Sequence, residues 1–140
     1  MKIYKLTLCA ALLAFSSLIG AAEQTASPEG SVAYIVSPAN GATVSSPVTV
    51  VFGLKGMGVA PAGTDKANTG HHHLLVDTDV PALDQPMPAN AALIHFGGGQ
   101  TQTTLELAPG SHTLQLVLGD MNHVPHNPPV VSEKITITVK

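Results

Sequence analysis

The chain has 140 residues, 44% of them hydrophobic and 11% charged, with a formal net charge of −3 at neutral pH. That length suits one domain with a real core, and the acidic balance disfavours nucleic acid, anionic lipid and phosphate ligands. A single cysteine, Cys9, excludes an intrachain disulfide and a multi-thiolate metal centre.

Met1 to Lys5 is a short basic start, and Leu6 to Ile19 is an apolar run. It is too short to span a bilayer, which takes about 20 residues. Gly20, Ala21 and Ala22 then supply the small residues a signal peptidase needs, so residues 1–22 read as a cleaved signal peptide. The mature protein is expected to begin at Glu23, to reside in the periplasm and to have no membrane insertion once the signal is removed. Cys9 leaves with the signal, as do Lys2 and Lys5; nine carboxylates then face four lysines and no arginine, a formal charge of −5.

Residues 23–31 form a polar leader without periodicity, expected to be flexible. The domain proper occupies residues 32–140. Val32 to Val36 is β-branched and aromatic, and the Asn40-Gly41 step marks a turn after it. In the second strand Val48, Val50, Phe52 and Leu54 fall on one face at period two, the half-buried antiparallel pattern. Gly56 to Gly70 is a glycine-rich connection of a length often associated with function. His71 to Asp77 is the third strand. Asp79 to Asn90 carries three prolines and cannot be a central strand, because proline donates nothing to a ladder.

Ala91 to Phe96 returns as a fourth strand, Gly97 to Gly99 turns the chain, and Gln100 to Leu107 is the fifth. After Pro109-Gly110, His112 to Asp120 forms the sixth, with Leu114, Leu116 and Leu118 pointing inward. Met121 to Pro129 is a loop, and Val130 to Lys140 closes the domain with Val131, Ile135, Ile137 and Val139 on one face. No amphipathic helix interrupts this series. The pattern predicts an all-β fold, an immunoglobulin-like antiparallel β-sandwich of about seven strands.

All seven histidines lie in the mature chain, and strand direction sorts them. If each strand reverses the last, the connections before the third strand, after the fourth and after the sixth share one end of the sandwich. His71, His72 and His73 open the third strand, His95 closes the fourth, and His123 and His126 lie after the sixth. His112 falls at the opposite end, beside inward leucines, and reads as a residue tying down that corner.

Imidazole is a common ligand for borderline transition metals. His71 and His73, one strand period apart, project to one face. His123 and His126 are held near each other by Val124-Pro125. The expected metal ligands are therefore His71, His73, His95, His123 and His126, with His72 and Met121 as further candidates. Asp77 lies too far along its strand to ligate, whereas Asp120 can orient an imidazole from behind. Nitrogen donors favour copper over zinc by the Irving–Williams order, so a copper ion is the expected cofactor and zinc the alternative.

Gly70-His-His-His-Leu-Leu-Val-Asp77, His95-Phe-Gly-Gly-Gly-Gln-Thr101, and Gly119-Asp-Met-Asn-His-Val-Pro-His126 followed by Pro128-Pro-Val-Val-Ser-Glu-Lys-Ile135 also resemble a bacterial exported domain family of unknown function. The likeness covers nearly all of the mature chain. It implies a small periplasmic domain and assigns no chemistry.

The leading functional expectation is a periplasmic histidine-rich metal-binding protein. A copper-dependent redox enzyme at the same site, like superoxide dismutase on its β-sandwich, is the alternative. Against it stand the lack of an arginine to steer an anion and the net acidic surface. A third reading is a structural or adhesion module without metal. No serine or cysteine nucleophile motif is present, and the sequence specifies no protein partner.

Overall fold

Strand β3 (Val48–Lys55) carries the clearest alternation in the chain, with Val48, Val50 and Phe52 buried and Thr49 exposed between them. It is the centre of a three-stranded antiparallel sheet. β1 (Val32–Ser37) pairs on one side, with Ile35 opposite Phe52, and β7 (Gln102–Leu105) on the other, with Val48 opposite Leu105. The computed structural model describes residues 23–140, so the expected signal peptide at 1–22 lies outside the described residues.

The second sheet is built on two long strands, β5 (Thr69–Val76) and β8 (Gly110–Gly119), paired antiparallel with His71 opposite Gly119 and Val76 opposite Leu114. β9 (Ile135–Val139) runs antiparallel along β8, and β6 (Leu93–His95) antiparallel along β5. Two short strands complete it in parallel pairings, β2 (Thr43–Val44) on β9 and β4 (Gly58–Val59) on β5.

Both sheets contribute to one apolar core. Ala33, Val48, Val50 and Phe52 from the first meet Leu74, Leu114, Leu116, Leu118, Ile137 and Val139 from the second. Each such side chain taken fully out of water stabilises the fold by about 1.5–3 kcal/mol. Among the described residues there is no helix, and the fold is all-β.

β5 is buried on both faces, which fixes where a site can form. His72 and Leu74 point to the shared core, where the His72 ring packs on Phe52 with centroids 5.3 Å apart. His71, His73 and Leu75 point the other way. There the proline-rich segment Asp79–Asn90 folds across the sheet, and Met87 joins Leu75, Leu93 and Val117 in a second, smaller apolar cluster.

The structure departs from the sequence expectation in three respects. The strands number nine among the described residues rather than about seven; β2 and β4, of two residues each, show no periodicity of their own and exist through partners distant in sequence. The last strand begins at Ile135 rather than Val130, because Val131 makes only an isolated bridge to Val117. The leader is not free. Gln24 donates to the carbonyls of Leu83 and Pro125, and Ala26 bridges Asn127, so the chain from 24 to 27 lies along the loop after β8.

Candidate metal centre

Four imidazoles meet on the outer face of β5. His71 and His73 come from alternate positions of that strand, and His95 on β6 stands directly opposite His73 in the ladder. His123 reaches in from the loop that follows β8, the strand whose Gly119 faces His71. One ligand nitrogen from each of the four lies within 4.8 Å of the others. His71 and His73 are fully buried, and His95 and His123 partly so.

Two glycines make room for the rings. A Cβ on Gly119 would stand 2.7 Å from Cε1 of His73 and 3.0 Å from the Met87 methyl, and a Cβ on Gly97 would collide with the His95 ring. Real side chains do not tolerate such approaches, so these positions are glycine because imidazoles lie over them.

The ring spacing is close to what a tetrahedral coordination shell would need. Four imidazoles at the corners of a tetrahedron, with metal–nitrogen bonds of about 2.0–2.1 Å, would set their ring centroids about 5.2 Å apart. The observed separations are 4.8 Å for His71–His73, 4.9 Å for His71–His95, 5.1 Å for His71–His123, 5.1 Å for His73–His95, 4.6 Å for His95–His123 and 6.1 Å for His73–His123.

The donor chemistry agrees. Nδ1 of His71, Nδ1 of His73 and Nε2 of His95 are buried without a hydrogen-bond partner among the described residues, while Nε2 of His71 lies 3.1 Å from Nδ1 of His123. Buried ring nitrogens without partners cost free energy that a bound cation would recover.

Burial and mutual repulsion favour the neutral form of His71, His73 and His95. Desolvation, reinforced by His95 and His123, lowers the pKa of His71 to about 4, and desolvation together with His71, His95 and His123 lowers that of His73 to about 3. His95 is shifted down by desolvation and by His123. A neutral imidazole has the lone pair a metal requires, so His71 and His73 keep theirs available below neutral pH.

Of the residues the sequence singled out, His71, His73, His95 and His123 come together, and the others do not. His126 is fully buried, but Pro125 bridges to Gly119 and carries the chain over the end of the sheet, so the His126 ring drops onto Gly70 and its Nε2 donates to the Thr69 carbonyl at 3.2 Å. Val124-Pro125 thus separates the two histidines onto opposite sides of β5 instead of pairing them. His72 faces Phe52 and the core, where desolvation lowers its pKa to about 4. Met121 is half-buried beside Thr64, Lys66 and Thr69, outside the cluster, and its carbonyl accepts from the Gly63 amide.

His112 lies at the other end of β8, as expected, with Nδ1 2.6 Å from an Asp77 carboxylate oxygen and Nε2 2.8 Å from the Ala108 carbonyl. These two acceptors raise its pKa above the ordinary value. The sequence offered Met87, with Met57 and Met121, as a soft thioether donor but did not place it at the cluster. Its N–H donates to the His123 carbonyl at 2.9 Å and its methyl, like the His73 ring, lies over Gly119, yet a methionine between two prolines in a loop carries no signal of burial.

These features define an all-β domain with a buried four-histidine cluster that could hold a metal ion. The model of a domain family of unknown function, DUF4399, matches residues 50–140, well over half of the chain and every residue of the cluster. The chain belongs to that family. No curated protein and no solved structure matches it.

Proposed function

We propose that this is an exported, periplasmic protein that holds one transition-metal ion, copper foremost, between His71, His73, His95 and His123. The observation that carries the reading is the convergence of four imidazoles, from two strands and a loop, with ligand nitrogens within 4.8 Å of one another. Copper is favoured because divalent copper binds nitrogen donors most tightly of the first-row ions. Zinc is the second reading, and the near-tetrahedral centroid spacing supports it specifically. Four protein ligands leave a tetrahedral ion no open position, which favours holding or carrying metal over redox turnover.

The pairing of β1, β3 and β7 in one sheet, with β9, β8 and β5 in the other, supports the immunoglobulin-like reading of the fold. Export rests on the basic and apolar start of the sequence. Among the described residues no helix is long and apolar enough to cross a membrane. The deciding experiment is elemental analysis of untagged protein from a periplasmic extract, followed by titration with copper and zinc. About one equivalent of either metal, bound more tightly than micromolar and removed by chelator with a fall in Tm, supports the reading. Failure of both ions to bind overturns it.

A further inference from the structure

His123 is the one ligand of the four that no strand holds. Its backbone lies at a φ of 67°, a left-handed conformation that non-glycine residues adopt only when their surroundings enforce it. Asp120, 2% exposed, does the enforcing. One carboxylate oxygen accepts from the amides of Asn122 at 2.8 Å and Val124 at 3.0 Å, the two residues flanking His123. The Asp120 carbonyl accepts from the His123 amide at 3.0 Å. Its second carboxylate oxygen is held at 2.7 Å by the hydroxyl of Thr25, which belongs to the N-terminal leader.

The leader is fastened around this point. The Asn127 amide donates to the Thr25 carbonyl, the Ser27 amide donates to the Asn127 carbonyl, and the Ser27 hydroxyl donates to the Pro128 carbonyl. The Gln24 side chain joins the carbonyls of Leu83 and Pro125, linking the segment that carries Met87 to the loop that carries His123.

From this geometry we infer that Asp120 and Thr25 are positioning residues for His123, and that docking of residues 24–27 is thermodynamically coupled to metal binding. The inference rests on the metal reading of the cluster and adds what sets its affinity. Asp120 orients no ring directly; it fixes the backbone from which the His123 ring projects. A ligand already in place loses less freedom when the ion binds, and removal of such supporting partners costs about 10- to 100-fold in metal affinity. Coupling is reciprocal, so bound metal must tighten the leader by the same factor as the leader tightens metal.

The test is titration of the mature chain with Cu(II) and Zn(II), comparing wild type with Thr25→Val, Asp120→Ala, Asp120→Asn and His112→Ala. Asp120→Ala should lose about 10- to 100-fold in affinity and one imidazole from the metal's X-ray absorption shell, with Asp120→Asn in between. Thr25→Val, which removes one hydrogen bond and leaves the core intact, should lose severalfold. His112→Ala, distant from the cluster, should lower Tm without changing affinity, which separates positioning from general destabilisation. In wild type, metal should slow hydrogen exchange at the Ser27 and Asn127 amides. Wild-type affinity in both Thr25→Val and Asp120→Ala would overturn the coupling while leaving the metal reading intact. A wild-type chain that takes up neither ion would remove both.

Discussion

His73 and His95 stand opposite each other in the β5–β6 ladder, with ring centroids 5.1 Å apart. Cross-strand register therefore sets the separation of this histidine pair, and neither ring depends on a loop for its placement. His95→Ala should cost at least tenfold in metal affinity while changing apo stability little, because the ring is only partly buried and its strand pairing stays intact. Isothermal titration beside denaturant unfolding of the apo protein measures both.

The glycine beneath the rings should matter as much as the ligands. Gly119→Ala would place a methyl 2.7 Å from Cε1 of His73 and 3.0 Å from the Met87 methyl. Affinity should fall as His73 is pushed aside, with about 1–3 kcal/mol of overpacking cost to the fold. Unchanged affinity would mean that His73 is not a ligand.

The two histidines outside the cluster should behave unlike the ligands. His126→Ala removes a fully buried ring and its hydrogen bond to Thr69, so apo stability should fall by about 2 kcal/mol or more with metal affinity nearly preserved. His112→Ala should also leave affinity intact. Its raised pKa means that its contribution to stability is full below the unfolded value of 6.5 and fades as pH rises through the folded value, so the loss should be largest at acid pH.

Strand direction alone located most of this site. His71 and His73 share a face because strand side chains alternate, and reversal of successive strands places His95 and the loop after β8 at the same end. The alternating residues of β3 and β8 marked the core equally well. The fate of His126 was not legible, because it depends on where Pro125 crosses the sheet edge and on the absence of a Cβ at Gly70. Nor was the docking of the leader, whose bonds run mainly to residues about a hundred positions away. Periodicity reports which face a residue takes, and it is silent where a segment has no period and is held by distant backbone.

Acid should destabilise the apo protein, and the metal-loaded protein at least as steeply, because protons compete with the ion for the same ring nitrogens. The folded-state pKa values of His71, His72 and His73, about 4, 4 and 3, lie below the ordinary value of 6.5, so the unfolded chain takes up protons first. Their contribution is fully present above pH 6.5 and is lost progressively as pH falls toward the folded values, each group adding a slope of up to about 1.4 kcal/mol per pH unit. Urea unfolding at a series of pH values checks this, and a flat apo profile between about pH 7 and 5 would contradict the burial of neutral rings.

If the chain is exported as proposed, its N-terminal sequence should begin at Glu23. A chain that retains the apolar run from Leu6 would rule out cleavage at that point.

The most direct test of the four-histidine centre is X-ray absorption spectroscopy on the mature protein loaded with one equivalent of copper or zinc, beside His71→Ala/His73→Ala. Wild type should show a shell of four nitrogen scatterers at about 2.0 Å with the multiple-scattering signature of imidazole. The double variant should lose stoichiometric binding. A wild-type shell dominated by oxygen, or binding that survives intact in the double variant, would contradict a metal centre formed by His71, His73, His95 and His123.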